Sequence, residues 1–188
     1  MPRYLAALTI VLMIAMVLAR VIIMWRQGIA AMRFGQTDRT DFVIPPFALF
    51  YFYVVFAAAF GWPAPSTQEF FRSRPVPWIG VALCAAGLML LLWSLVSFGR
   101  SFRVGIDTAA SDDLVTTGVF AFSRNPIYVA FALILIGEFL VFSNWILLIY
   151  VVAAVWLFHR QVLREEEYLA MRYGRPYAEY CGRVRRYL

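Results

Sequence analysis

IYVAFALILIGEFLVFSNWILLIYVVAAVWLF, residues Ile127 to Phe158, decides the fold. These 32 residues carry one charge, Glu138. A single helical crossing of the hydrocarbon core takes about 20 residues, so the stretch is too long for one simple span. Ser143-Asn144 breaks it near the middle with residues that favour turns and helix starts. The expected element is a tight helical hairpin with arms of roughly 15 residues, each short for a span. Short arms imply packing within a bundle or local thinning of the bilayer.

Three further apolar runs lie upstream. Tyr4 to Trp25 has 22 residues and one charge, Arg20, placed one turn from the end where it can snorkel. The run is too long for a signal-peptide core, and no small-x-small cleavage site follows, so a retained helix is expected. Phe42 to Trp62 begins near Pro45-Pro46, is dense in aromatics and ends at Trp62-Pro63-Ala64-Pro65. Trp78 to Phe98 follows Pro75 and Pro77. The expected fold is all-α: a polytopic membrane bundle of about five transmembrane helices. Residues 1–98 supply three N-terminal helices, and 99–188 supply a polar segment, the hairpin and a tail.

Composition agrees. Of 188 residues, 63% are hydrophobic and 15% charged, and the mean hydropathy is +0.73. Soluble domains run near 45–50% apolar and about 25% charged, so a soluble domain, a disordered chain and a disulfide scaffold are excluded. All 17 basic residues are Arg, a compositional pointer to a bacterial source. The net charge of +6 flanks apolar spans and so reads as membrane topology, with no nucleic-acid patch. Cys84 and Cys181 are far apart, which leaves no disulfide framework and no metal spacing.

Five crossings place the two chain ends on opposite sides. The first loop (Arg26, Arg33, Arg39), the polar segment (Arg100, Arg103, Arg124) and the tail (Arg160, Arg164, Arg172, Arg175, Arg183, Arg185, Arg186) share one side. The other side holds Arg3, Arg72 and Arg74. Thirteen against three is a positive-inside signal that puts the polar segment and tail in the cytoplasm and the N-terminus outside. In the tail, Glu165 to Tyr173 reads as a helix stopped by Gly174 and restarted after Pro176. Tyr177, Tyr180, Cys181, Val184 and Leu188 fall at helical spacing opposite Arg183, Arg185 and Arg186. That pattern predicts an amphipathic helix lying on the membrane surface.

Walker loops, nucleophile elbows and paired-His zinc motifs are missing from the sequence. His159 is the single histidine, so a two-His metal site and a His-based triad are excluded. Two polar clusters remain. Leu114-Val115-Thr116-Thr117-Gly118-Val119-Phe120 leads to Arg124-Asn125-Pro126-Ile127-Tyr128, where Pro126 suits the first helical turn and Asn125 its cap. Glu165-Glu166-Glu167 follows the last apolar span, beside Arg160 and Arg164. Taken singly, the first reads as a capped, arginine-anchored helix start and the second as a solvated ion-pair helix with weak surface pairs.

In this order and separation, the two clusters resemble the isoprenylcysteine carboxyl methyltransferase and phosphatidylethanolamine methyltransferase superfamily of integral membrane enzymes. The resemblance runs from Phe98-Gly99-Arg100 to the end of the chain. Leu114-Val115 with Gly118 and Phe120 match its lead-in, and Arg124-Asn125-Pro126 with Tyr128 match its Arg-His-Pro-x-Tyr. Glu165-Glu166 with Leu169, Tyr173-Gly174 and Tyr177 match its closing element.

The resemblance implies S-adenosylmethionine as cofactor and an acceptor that enters sideways from the bilayer. It implies cofactor contacts from Arg124, Asn125, Tyr128 and Glu165. Leu114, Val115 and Gly118 would approach the adenine or ribose, and Glu166 would face the cofactor or the reacting centre. His159, read from its place at the end of the last span beside the glutamates, either anchors the helix or lines the site. Asn125 stands where the family carries His; it keeps hydrogen-bonding capacity but cannot titrate. Gln161 stands where many relatives carry Arg, and Arg160, one residue away, is a candidate catalytic replacement.

A carboxylate acceptor is already ionised near neutral pH and needs no base, whereas a phospholipid amine must first lose a proton. This favours O-methylation of a lipidic or prenylated carboxylate over phospholipid N-methylation. Two other readings stand beside it: a sterol-type reductase using NADPH, and a lipid-binding membrane protein without turnover. Glu138 is a further functional candidate, because ionisable residues inside membrane spans are rare; the plainer reading is a side chain that reaches the far interface or stays protonated.

Overall fold

The structure, a computed structural model, describes residues 1–26, 44–63, 73–98 and 114–188. Arg33, Arg39, Arg72, Arg100, Arg103 and the Gly99 to Asp113 part of the polar segment lie outside the described residues. The chain forms α1 (Pro2–Arg26), α2 (Ile44–Phe60), α3 (Val76–Ser97), a short 3₁₀ turn (Gly118–Ala121), α4 (Pro126–Phe142), α5 (Trp145–Tyr173) and α6 (Arg175–Arg183). This is a polytopic helical bundle. By length and composition α1, α3 and α5 can each cross a membrane, while α2 and α4 are shorter apolar helices. At 1.5 Å per residue, the 17 residues of α4 reach about 26 Å, just under the hydrocarbon thickness.

The hairpin turns where the sequence breaks. Ser143 adopts a left-handed conformation, φ 47°, and ends α4. The Asn144 side chain then accepts from the Leu147 N–H at 2.8 Å and caps α5.

The second arm departs from expectation. It does not stop at Phe158: α5 is one helix of 29 residues that carries the apolar span and the glutamates on a single rod. The boundary at His159 is a change of polarity, whereas Arg, Gln, Leu and Glu all favour helix and supply no breaker before Gly174. Gly174 (φ 57°) closes α5 with its N–H on the Ala170 carbonyl, 2.9 Å.

The tail also differs. Only α6 is helical; Val184 is already extended, and Tyr177 and Tyr180 are buried in the protein. That part of the tail's apolar face packs on the chain itself, while Leu188 stays exposed. Residues 184–188 run back as a strap beside the start of α4, with one parallel bridge between Ser123 and Arg185.

Helices in lipid gain little from hydrophobic burial against each other, so close packing has to come from small residues. α3 and α4 meet through Gly80, Cys84 and Gly87 on one side and Ala130, Ile134 and Gly137 on the other. A Cβ added to Gly137 would lie 2.6 Å from both Cys84 Sγ and the Gly80 carbonyl oxygen. Cys84 Sγ reaches the Ile134 carbonyl at 3.7 Å, which makes this cysteine a packing residue.

Ala6 and Ile10 of α1, Val55 of α2, Ile134 and Val141 of α4 and Leu147 of α5 close the shared core. Inside it Glu138 is fully buried, and neither carboxyl oxygen has a partner among the described residues. An uncompensated buried carboxyl costs on the order of 1–3 kcal/mol. Glu138→Met, unbranched and apolar, is therefore expected to raise the unfolding temperature in detergent. A lower value would mean that Glu138 holds a stabilising partner in the membrane.

Candidate functional site

Three pieces of chain converge at one end of the bundle: the lead-in to α4, the polar half of α5, and the strap. Pro126 occupies the first turn of α4, and the Ser123 hydroxyl accepts from the Asn125 backbone N–H, 3.2 Å. Asn125 holds the cap position, but its side chain makes no cap bond. That side chain instead donates through Nδ2 to Glu166 Oε1 and to the Arg186 carbonyl, each at 3.1 Å.

Glu166 is the hub. Its Oε1 takes Asn125 and the Arg124 guanidinium (Nη2, 3.3 Å), and its Oε2 takes Arg186 through Nε and Nη2, both 2.9 Å. The Arg124 and Glu166 side chains are each 11% exposed, so this is a desolvated ion cluster, not a surface pair. Two guanidinium charges against one carboxylate leave it net positive. Arg124 Nε is buried and has no partner among the described residues.

One residue earlier, on the adjoining face of α5, Glu165 Oε1 accepts from Tyr128 Oη at 2.7 Å and from Gln161 Nε2 at 3.1 Å. Gln161 thus serves Glu165 as a neutral donor from one turn earlier. Tyr180 of α6 donates to the Phe120 carbonyl at 2.7 Å, tying the 3₁₀ turn to the tail. Burial pushes its phenol up to about 12 against the pull of Arg124, so it remains a neutral donor.

The structure thus brings together Arg124, Asn125, Tyr128, Glu165 and Glu166. His159 lies two helical turns before Glu166 on the same face of α5 and pairs through Nδ1 with Tyr187 Oη at 2.8 Å. Arg160 is not brought in. It is exposed, its guanidinium 5.8 Å over the Trp156 ring, because one residue displaces a helical side chain by about 100°. Gly118 has a local role: with φ +64° it packs against Ser97, whose hydroxyl accepts from the Val119 N–H at 3.3 Å. Leu114 and Val115 are half-buried ahead of that turn, with no polar contact to the cluster among the described residues.

Sequence reasoning missed Arg186 and Tyr187. Seven arginines lie in the tail, and nothing in its pattern separates Arg186 from the others. The strap also holds by backbone, through the Arg124 N–H on the Arg185 carbonyl at 3.0 Å, which no side-chain pattern reports.

The protein is an apolar helical bundle with an arginine–carboxylate cluster at one end, and over residues 76–176 it matches the phospholipid methyltransferase family, to which it belongs. It is an integral membrane protein. Among its relatives are three protein-S-isoprenylcysteine O-methyltransferases. The B form from Arabidopsis thaliana is 33% identical over 108 residues, 56% of this chain and 55% of that protein. The Saccharomyces cerevisiae protein is 31% identical over 109 residues, 56% and 46% of the two chains. The Schizosaccharomyces pombe protein is 30% identical over 94 residues, 48% and 40%. The chain spans about half the length of the curated relatives it matches.

Proposed function

We propose that the chain is an S-adenosylmethionine-dependent methyltransferase acting on a lipidic or prenylated acceptor drawn from the bilayer, with O-methylation of a carboxylate favoured. The observation that carries this reading is the unpartnered, buried Nε of Arg124 in a cluster of net positive charge beside Glu165. The donor set suits the zwitterionic methionine end of the cofactor. Arg124 would hold the carboxylate and Glu165 the ammonium, with Tyr128 fixing the orientation of Glu165. When bound, the cofactor would supply an electrophilic methyl group on a sulfonium, whose carbon–sulfur bond breaks as the acceptor attacks. The protein's own residues bind, align and exclude water.

The acceptor preference follows from proton accounting. Asn125 cannot titrate, and a carboxylate needs no base. The relatives, protein-S-isoprenylcysteine O-methyltransferases, point the same way. N-methylation of a phospholipid amine is the second reading, favoured by His159. Its imidazole, hydrogen-bonded to Tyr187, could take the proton that an amine must lose. The arginine bias supports a cytoplasmic site with the N-terminus outside, and the use of Arg without Lys supports a bacterial inner membrane. Residues 99–188 form the catalytic core on three N-terminal helices.

Calorimetric titration of the purified protein with S-adenosylmethionine and, separately, NADPH tests the reading. Binding of S-adenosylmethionine alone is expected. Binding of NADPH alone would make the chain a sterol-type reductase, and binding of neither would leave a lipid-binding protein without turnover. Mass spectrometry of host membrane lipids, with and without overexpression, then identifies the acceptor by a gain of one methylene.

A further inference from the structure

Glu166 has no oxygen to spare. Oε1 holds Asn125 and Arg124, and Oε2 holds Arg186 through two N–H groups. A carboxylate so occupied anchors its neighbours and is poorly placed to receive an ammonium. Arg124, by contrast, spends Nη2 on Glu166 and keeps a buried Nε without a partner among the described residues. The direction in which Arg124 presents that nitrogen depends on where Glu166 stands. Glu166 is pulled from its far oxygen by Arg186, which reaches in from the strap.

We propose that Arg186 is a positioning residue. By engaging Oε2 of Glu166 it fixes the carboxylate that aims Arg124 at the carboxylate of the methyl donor. The proposal rests on the donor site described above and adds to it a residue outside both sequence clusters. The geometry separates this role from that of the strap backbone. The Arg185 carbonyl on the Arg124 N–H and the Arg186 carbonyl on Asn125 Nδ2 hold the strap in place whatever side chain residue 186 carries. Removing the guanidinium leaves the wall standing and frees only the far oxygen of Glu166. Glu166 then swings toward Arg124, its remaining cation, and draws Nε off its line. The loss falls on the ligand's carboxylate and spares contacts to adenine, ribose and sulfonium.

The experiment is calorimetric titration of wild type and Arg186→Gln with S-adenosylmethionine and with its decarboxylated form. The expected result is a roughly tenfold weaker Kd for S-adenosylmethionine in Arg186→Gln, with the decarboxylated form held within about twofold. Wild type should bind the decarboxylated form more weakly than the parent, and the variant should bind the two alike. Equal losses for both ligands, or no loss for either, overturn the proposal while leaving the donor site intact. Wild-type protein that binds neither ligand overturns the proposal and the reading beneath it together. Should Arg186→Gln fail to fold, Arg186→Lys carries the test, since it keeps the charge and loses one of two N–H contacts. A selective loss for S-adenosylmethionine of about threefold supports the proposal, and an equal loss for both ligands overturns it.

Discussion

Glu166→Gln should cost about 3 kcal/mol of stability and weaken S-adenosylmethionine binding by about a hundredfold. One substitution removes the charge that Arg124 and Arg186 share and rearranges the acceptor that Asn125 uses. Two guanidiniums then face each other across the site with no negative charge between them. The amide of Gln fills the space, so the effect reports charge and not a cavity. Thermal unfolding in detergent reads the first effect and calorimetry the second. Unchanged unfolding together with full affinity would remove Glu166 from the centre of the site. Glu165→Gln is the contrasting case. Its partners are the neutral donors Tyr128 and Gln161, so stability should change little while affinity for the donor's ammonium falls.

Gly137→Ala should be strongly destabilising, at about 3 kcal/mol, the upper end for overpacking. The new methyl would meet Cys84 Sγ and the Gly80 carbonyl at 2.6 Å and the Cys84 backbone nitrogen at 2.9 Å. Two of these three are backbone atoms that no rotamer change can move, so the helices must part. A fall in unfolding temperature is expected, and a partial recovery in Gly137→Ala combined with Cys84→Ala, which clears the sulfur but not the backbone. If Gly137→Ala unfolds like wild type, the close approach of α3 and α4 is not what holds them.

The sequence made the bundle legible where local chemistry is unambiguous. Ser143-Asn144 marked the hairpin because a left-handed residue followed by a side-chain cap leaves few alternatives. Arg124, Asn125, Tyr128 and the glutamates were legible as a resemblance, and their spacing alone does not say which pairs with which. Glu165 with Tyr128 and Glu166 with Asn125 are matched by the facing of α5, where adjacent residues differ by about 100°. The same rotation takes Arg160 away. The unbroken α5 was hidden because polarity changed while helix propensity did not. The strap was hidden because an extended segment held by backbone carbonyls has no period to detect.

The unbroken α5 has a consequence for how the protein meets its surroundings. Its apolar part lies in lipid, and its polar part carries Glu165 and Glu166, with no hinge or linker between the two. In contact with Glu166, Arg124 and Asn125 sit immediately ahead of the first turn of α4, another embedded helix. Both jaws are therefore rooted in the bilayer and cannot ride up or down independently of it. The molecule acts as a depth gauge, presenting its polar groups at one fixed height above the hydrocarbon, so membrane thickness becomes one of the variables that sets what they can reach.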